Sequence, residues 1–282
     1  MTAPNAAEGS SATAGSSAAA VPTTTATPAD RARQVTVTVA YLVCLLGSLI
    51  GVGVLGGPPI EEAAGGALSA EATHLAPAGP AFSIWSVIYV GLAAYVVLQW
   101  LPRWATEPRQ RAVGYLVAVT MVLNAAWILS AQGGLLWLSV VVILVLLAAL
   151  CRVIVLLHRA PARHRAEVLV LDGTLGLYLG WVAVATAANI AATLADSGFD
   201  GGPLAPEAWA VIVCAVVAVV GVLLAVRLGG RIAPAAAITW GLAWIAVARA
   251  SGEPESRATV VAALTAGAVV VVATLLARLR RA

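Results

Sequence analysis

A chain of 282 residues with 61% hydrophobic side chains, 10% charged ones and a mean hydropathy of +0.95 has too few charges to cover a water-soluble surface. Composition therefore excludes a soluble globule and makes the lipid bilayer the solvent. Net charge is only +3, all sixteen basic residues are Arg, and most of them lie in short segments between apolar runs. That placement marks membrane topology and excludes a nucleic-acid partner.

In chain order, residues 1–30 are Ala, Ser, Thr and Pro with almost no large apolar side chain. Such a segment buries too little surface to order itself, and it reads as a disordered N-terminal tail. It also lacks the basic start and apolar run of a signal peptide. Eight runs long enough to cross the hydrocarbon follow, near 35–57, 80–101, 112–131, 134–157, 167–195, 205–226, 233–250 and 258–278. The expected fold class is all-α: a polytopic membrane helix bundle. The expected units are the tail 1–30, a five-helix membrane unit 31–196 and a three-helix extension 203–282.

The first run carries Gly47 and Gly51 at GxxxG spacing, a smooth face that lets another backbone approach closely. Most such faces serve packing within one chain; a homodimer is the alternative. The connection PPIEEAAGGALSAEATHLAPAG that follows is long for a membrane hairpin and is suited to cover a pocket mouth. Pro77 and Pro80 then set the angle at which the second helix starts.

Three runs carry aromatic-polar stripes. In PAGPAFSIWSVIYVGLAAYVVLQW, Phe82, Trp85, Ser86, Tyr89 and Ala93 fall within about one third of the helix circumference. In MVLNAAWILSAQGG, Asn124, Trp127 and Ala131 share a face. In LYLGWVAVATAANIAATL, Tyr178, Trp181, Ala185 and Asn189 do the same. An interfacial aromatic belt explains Trp100, Trp104, Trp137 and Trp209, which sit at or near helix ends. It does not explain Tyr89 and Asn124, roughly 12–15 Å below the outer boundary, or Trp181 near mid-membrane. Buried amides also serve as glue between helices. The small residues beside the rings nevertheless leave room for a ligand, and the stripes are read as lining a pocket that opens to the outer face.

The remaining polar residues fix orientation more than chemistry. Arg clusters before the first run and after the second, fourth, sixth and eighth, while the alternate connections are acidic, so both termini are expected in the cytoplasm of a multi-pass inner-membrane protein. Cys44, Cys151 and Cys214 stand singly in apolar runs, without metal-ligand spacing. His74 lies in the long loop, and His158 and His164 in an Arg-rich connection, so no catalytic or metal residue is assigned. Asp172, about one turn inside the fifth run, could pair with Arg152 near the inner face or snorkel as an end residue, with a proton relay as the alternative. LGWVAVATA (Leu179–Ala187) is similar to LAWIAVARA (Leu242–Ala250), either as a trace of duplication or as coincidence in an Ala-rich chain.

PAGPAFSIWSVIY resembles the second-helix signature of the tryptophan-rich sensory protein (TspO/MBR, translocator protein) family, LNAAW its third-helix motif and LYLGWVAVATAAN its fifth. The three occur in order over about residues 35–195. The resemblance implies a five-helix bundle whose pocket binds porphyrins and other hydrophobic ligands, and it matches Trp85, Tyr89, Asn124, Trp127, Tyr178, Trp181 and Asn189. Ser83-Ile84 stands where the family usually has Gly-Pro, and Ile128 where Ser is common. No Tyr-Arg stretch follows Asn189, so sterol binding gains no support.

The expected ligand-binding set is Phe82, Trp85, Tyr89, Asn124, Trp127, Tyr178, Trp181, Ala185 and Asn189. The expected function is binding of tetrapyrrole or other small hydrophobic ligands by a sensor or translocator. The alternative is a secondary transporter of small amphiphiles. Porphyrin or haem is expected as ligand, with no obligatory cofactor, and porphyrin photodegradation is permitted by the resemblance.

Overall fold

The computed structural model describes residues 25–56, 58–60 and 62–281; residues 1–24 of the expected tail lie outside them. Among the described residues there are eight helices long and apolar enough to cross a membrane, and no strand. We label them α1 (Pro28–Gly51), α2 (Ile84–Trp100), α3 (Pro108–Gln132), α4 (Leu136–Arg159), α5 (Thr174–Asp196), α6 (Pro206–Leu228), α7 (Ile232–Ser251) and α8 (Arg257–Leu279). The bundle expected from composition is the one observed.

Helix starts are set by local chemistry. α1 begins within the stretch expected to be tail, because Thr27 closes a capping box: its hydroxyl accepts from the Asp30 amide at 3.2 Å while the Asp30 carboxylate accepts from the Thr27 amide at 3.1 Å. Pro108 and Pro206 stand in the first turns of α3 and α6, where the missing N–H costs nothing. α2 is preceded by a 3₁₀ turn over Gly79–Ser83, and α5 by a wider π-type turn over Val168–Gly173.

Packing runs α1 on α3, α3 on α4, α4 on α5, α5 on α7, α7 on α8 and α8 on α6, with α2 resting between α1 and α5. In lipid the hydrophobic effect does not hold helices together, so close backbone approach has to. Glycines mark those seams. A Cβ at Gly47 would stand 2.9 Å from the Ala125 Cβ, and one at Gly51 3.0 Å from Ile128. The GxxxG face of α1 is therefore occupied by α3 of the same chain. Gly176 and Gly180 of α5 receive α7 in the same way, with the Pro234 carbonyl oxygen only 2.2 Å from where a Gly180 Cβ would sit. The two similar nine-residue segments lie on α5 and α7, the helices that meet at this seam.

Two apolar clusters result. One fills the space among α1–α5, around Ile88, Met121, Tyr178 and Trp181; the other joins α6, α7 and α8 to the back of α5, around Ile238, Leu242 and Val270. Outward-facing Val and Leu, such as Val90, Val122, Val219 and Leu264, supply the lipid-facing surface. Trp104 departs from the expected interfacial belt: it is buried, with its ring 5.2 Å from that of His164.

Candidate functional site

The stripes of α2, α3 and α5 converge. Phe82, Trp85, Trp127, Trp181, Ala185 and Asn189 line one cavity, joined by Val184, Ala188 and Ala192 of α5 and by Ile60, Ala67, Leu68, Ala76 and Pro77 of the long loop. Its empty volume is about 570 Å³, most of it in the open mouth, so the enclosed part is much smaller than a typical small-molecule site. The cleft is narrow and almost wholly apolar.

Helical periodicity explains how the rings reach it. Trp85 and Tyr89 are one turn apart on α2 and stack with centroids 5.4 Å apart at 16°. Trp85 presents its edge to Trp181 at 6.4 Å and to Tyr178 at 5.7 Å, and Phe82 meets Trp181 at 5.7 Å and 79°. Edge-to-face contacts of this kind hold each ring in one orientation. The indole N–H groups of Trp127 and Trp181 are buried and have no hydrogen-bond partner among the described residues. An unpaired buried donor costs free energy that a ligand acceptor would recover.

Three of the expected residues stand behind the lining. Asn124, fully buried, donates through Nδ2 to the Tyr89 hydroxyl at 3.0 Å and to Cys44 Sγ at 3.5 Å; its Oδ1 has no partner among the described residues. The Tyr178 hydroxyl donates to the Thr120 carbonyl at 3.1 Å. These groups brace α1, α2, α3 and α5 against one another and hold Trp85 from the rear. Asn189 reaches the cavity, but its amide donates to Ser139 Oγ of α4 at 3.0 Å. Ser86 of the α2 stripe is exposed and takes no part.

Sequence reasoning missed Ser139, a single hydroxyl in an apolar run. It also missed which loop residues form the wall. The loop is pinned by α7: the Trp244 carbonyl accepts from the Ala78 amide at 3.2 Å, Trp240 Nε1 donates to the Ala81 carbonyl at 2.9 Å, and Arg249 donates to the Ala70 carbonyl.

About 20 Å further along α5, its opposite end carries a buried ionic cluster. Arg109 of α3 donates to both Asp172 oxygens at 2.8 and 3.0 Å, and its other terminal nitrogen lies 3.5 Å from Glu167. Arg231, from the α6–α7 connection, pairs with Asp172 at 2.5 Å. The candidate partner from sequence was Arg152, which is exposed; the π-type turn carries Asp172 toward α3 and α7 instead.

No curated protein and no solved structure matches the chain. The TSPO-like protein family matches residues 34–277, which takes in the three aromatic motifs and continues through α6, α7 and α8. With convergent tryptophan stripes on α2, α3 and α5 and a match over all eight spans, the chain belongs to the TSPO-like protein family.

Proposed function

We propose that this TSPO-like membrane protein takes a tetrapyrrole or another small hydrophobic ligand into the cavity among α2, α3 and α5, and acts as a sensor or translocator in the cytoplasmic membrane with both termini inside. The observation that supports this reading is the meeting of Trp85, Trp127 and Trp181 around empty space, two of them with buried, unpaired N–H groups. A flat conjugated ring would gain stacking area from the indoles. A carbonyl or carboxylate on that ligand would accept from Trp127 or Trp181. Because the cleft is narrow, a tetrapyrrole requires the Ala67–Pro77 wall to swing outward between its pinned ends, and among the described residues α7 bonds that segment itself only through Arg249 at the Ala70 carbonyl.

Quenching of tryptophan fluorescence by a porphyrin series tests the reading. Trp85→Phe and Trp181→Phe should each weaken binding about tenfold, and Asn124→Ala less, because it acts through Tyr89. Unchanged affinity in all three would make the stripes packing seams. A porphyrin spectrum that bleaches only in light would instead point to photochemistry. Secondary transport requires the Arg109–Asp172–Arg231 cluster to part so that the cavity opens to the opposite face. Ligand-dependent labelling of Ala185→Cys from that face would favour transport over sensing.

A further inference from the structure

A second cavity, sharing no lining residue with the first, lies where α5 and α6 diverge. The two helices are consecutive in the chain, yet α5 packs mainly on α7 and α6 mainly on α8. The gap between them encloses about 1,460 Å³ of empty space including its open side. Ala187, Ile190 and Ala191 of α5 face Trp209, Val213 and Val216 of α6 across it. From Pro206 to Val216 the wall is about 15 Å long, half of a roughly 30 Å hydrocarbon core, so it spans about one leaflet.

Only the loop end of this cavity is polar. Thr73 and His74 line it, and both Thr73 Oγ1 and His74 Nδ1 are buried atoms with no hydrogen-bond partner among the described residues. Behind them stands the Arg249 guanidinium, 1% exposed, donating to the carbonyls of Ala70 and Pro254. Among the described residues Arg249 makes no close ion pair and its Nε has no hydrogen-bond partner, although Glu253 and Glu71 lie near enough for their charges to act on it. Glu207, the carboxylate nearest this end on α6, is held by the Ser256 hydroxyl. Burial and the positive charge of Arg249 push the His74 imidazole below its ordinary value, opposed in part by Glu207.

We propose that this cavity binds a single-chain fatty acid entering from the bilayer, its chain between α5 and α6 and its carboxyl group at Thr73 and His74. One leaflet of apolar wall suits one acyl chain. Two lining atoms with unused hydrogen-bonding capacity, Thr73 Oγ1 and His74 Nδ1, with the Arg249 guanidinium behind them, suit a compact anionic head. This site goes beyond the sensor-or-translocator reading and does not rest on it.

The test uses the full chain reconstituted in nanodiscs and cis-parinaric acid, excited in its own absorption band. Saturable binding is expected, about tenfold weaker for the methyl ester because the charge-assisted bonds are lost. Ala191→Trp and Val213→Trp, which fill the gap, should each weaken binding at least about tenfold, while porphyrin affinity at the other cavity and the melting temperature stay unchanged. Thr73→Val with His74→Phe, in the loop, should reduce binding of the acid to the level of the ester, and decides the question if the filled variants fail to fold. Equal affinity for acid and ester, wild-type binding by the filled variants, or native mass spectra showing a retained phospholipid in this gap would each overturn the proposal.

Discussion

Trp181 and Asn189 show what a single residue can and cannot announce. Trp181 is 1% exposed near mid-membrane, and its position on the α5 stripe was legible from helical spacing alone. The amide of Asn189 was legible as a polar group in lipid, but its partner was not: Ser139 lies 50 residues away on another helix. Asp172 gives the same lesson more sharply. Proximity in depth suggested Arg152, whereas the π-type turn directs the carboxylate to Arg109 and Arg231. Removing one member of a buried ion pair leaves the others unpaired, at a cost of about 3–5 kcal/mol. Thermal unfolding in detergent should therefore show Asp172→Asn strongly destabilised and Arg152→Gln close to wild type. The reverse order would mean that Arg152 is the true partner.

Between elements, the eight spans and their order followed from apolar length and Arg placement, because the bilayer fixes how many residues a helix needs. Which helices touch did not follow, since every span is apolar on most sides and amphipathic patterning is weak. The Gly47–Gly51 face could equally have met a second copy, and only the fold shows α3 filling it. The α5–α7 seam is the joint between the two apolar clusters. A Cβ at Gly180 would lie 2.2 Å from the Pro234 oxygen, and that backbone has no easy retreat. Gly180→Val should therefore push α7 from α5, destabilise by more than the usual overpacking cost of about 1–3 kcal/mol, and release the loop that α7 holds. Faster proteolysis between Pro58 and Pro77 would report that release. A loop as resistant as wild type in a destabilised Gly180→Val protein would show that α7 does not hold it.

Across the whole molecule, α6, α7 and α8 turn one side of α5 into a second interface, while its other side keeps the aromatic face. α7 supplies three contacts to the loop that walls the first cavity, through Trp240, Trp244 and Arg249. α7 thus acts on the site mechanically by holding its wall. Eight crossings place Pro28 and Leu279 on the same side of the membrane. Cysteines introduced at Ala29 and Ala282 should be protected together from impermeant reagent in whole cells, and one added at Ala64 in the long loop should be labelled. Labelling of the first two with protection of the third would invert the orientation, and opposite results for the first two would break the eight-span count.

The central claim is that rings from α2, α3 and α5 surround space a ligand can enter. Filling that space tests it most directly. Ala185 and Ala188 line the cavity on α5, so an equilibrium porphyrin titration of Ala185→Trp and Ala188→Trp, in protein with wild-type melting behaviour, should show affinity reduced at least about tenfold. Full wild-type affinity in both variants would contradict the account.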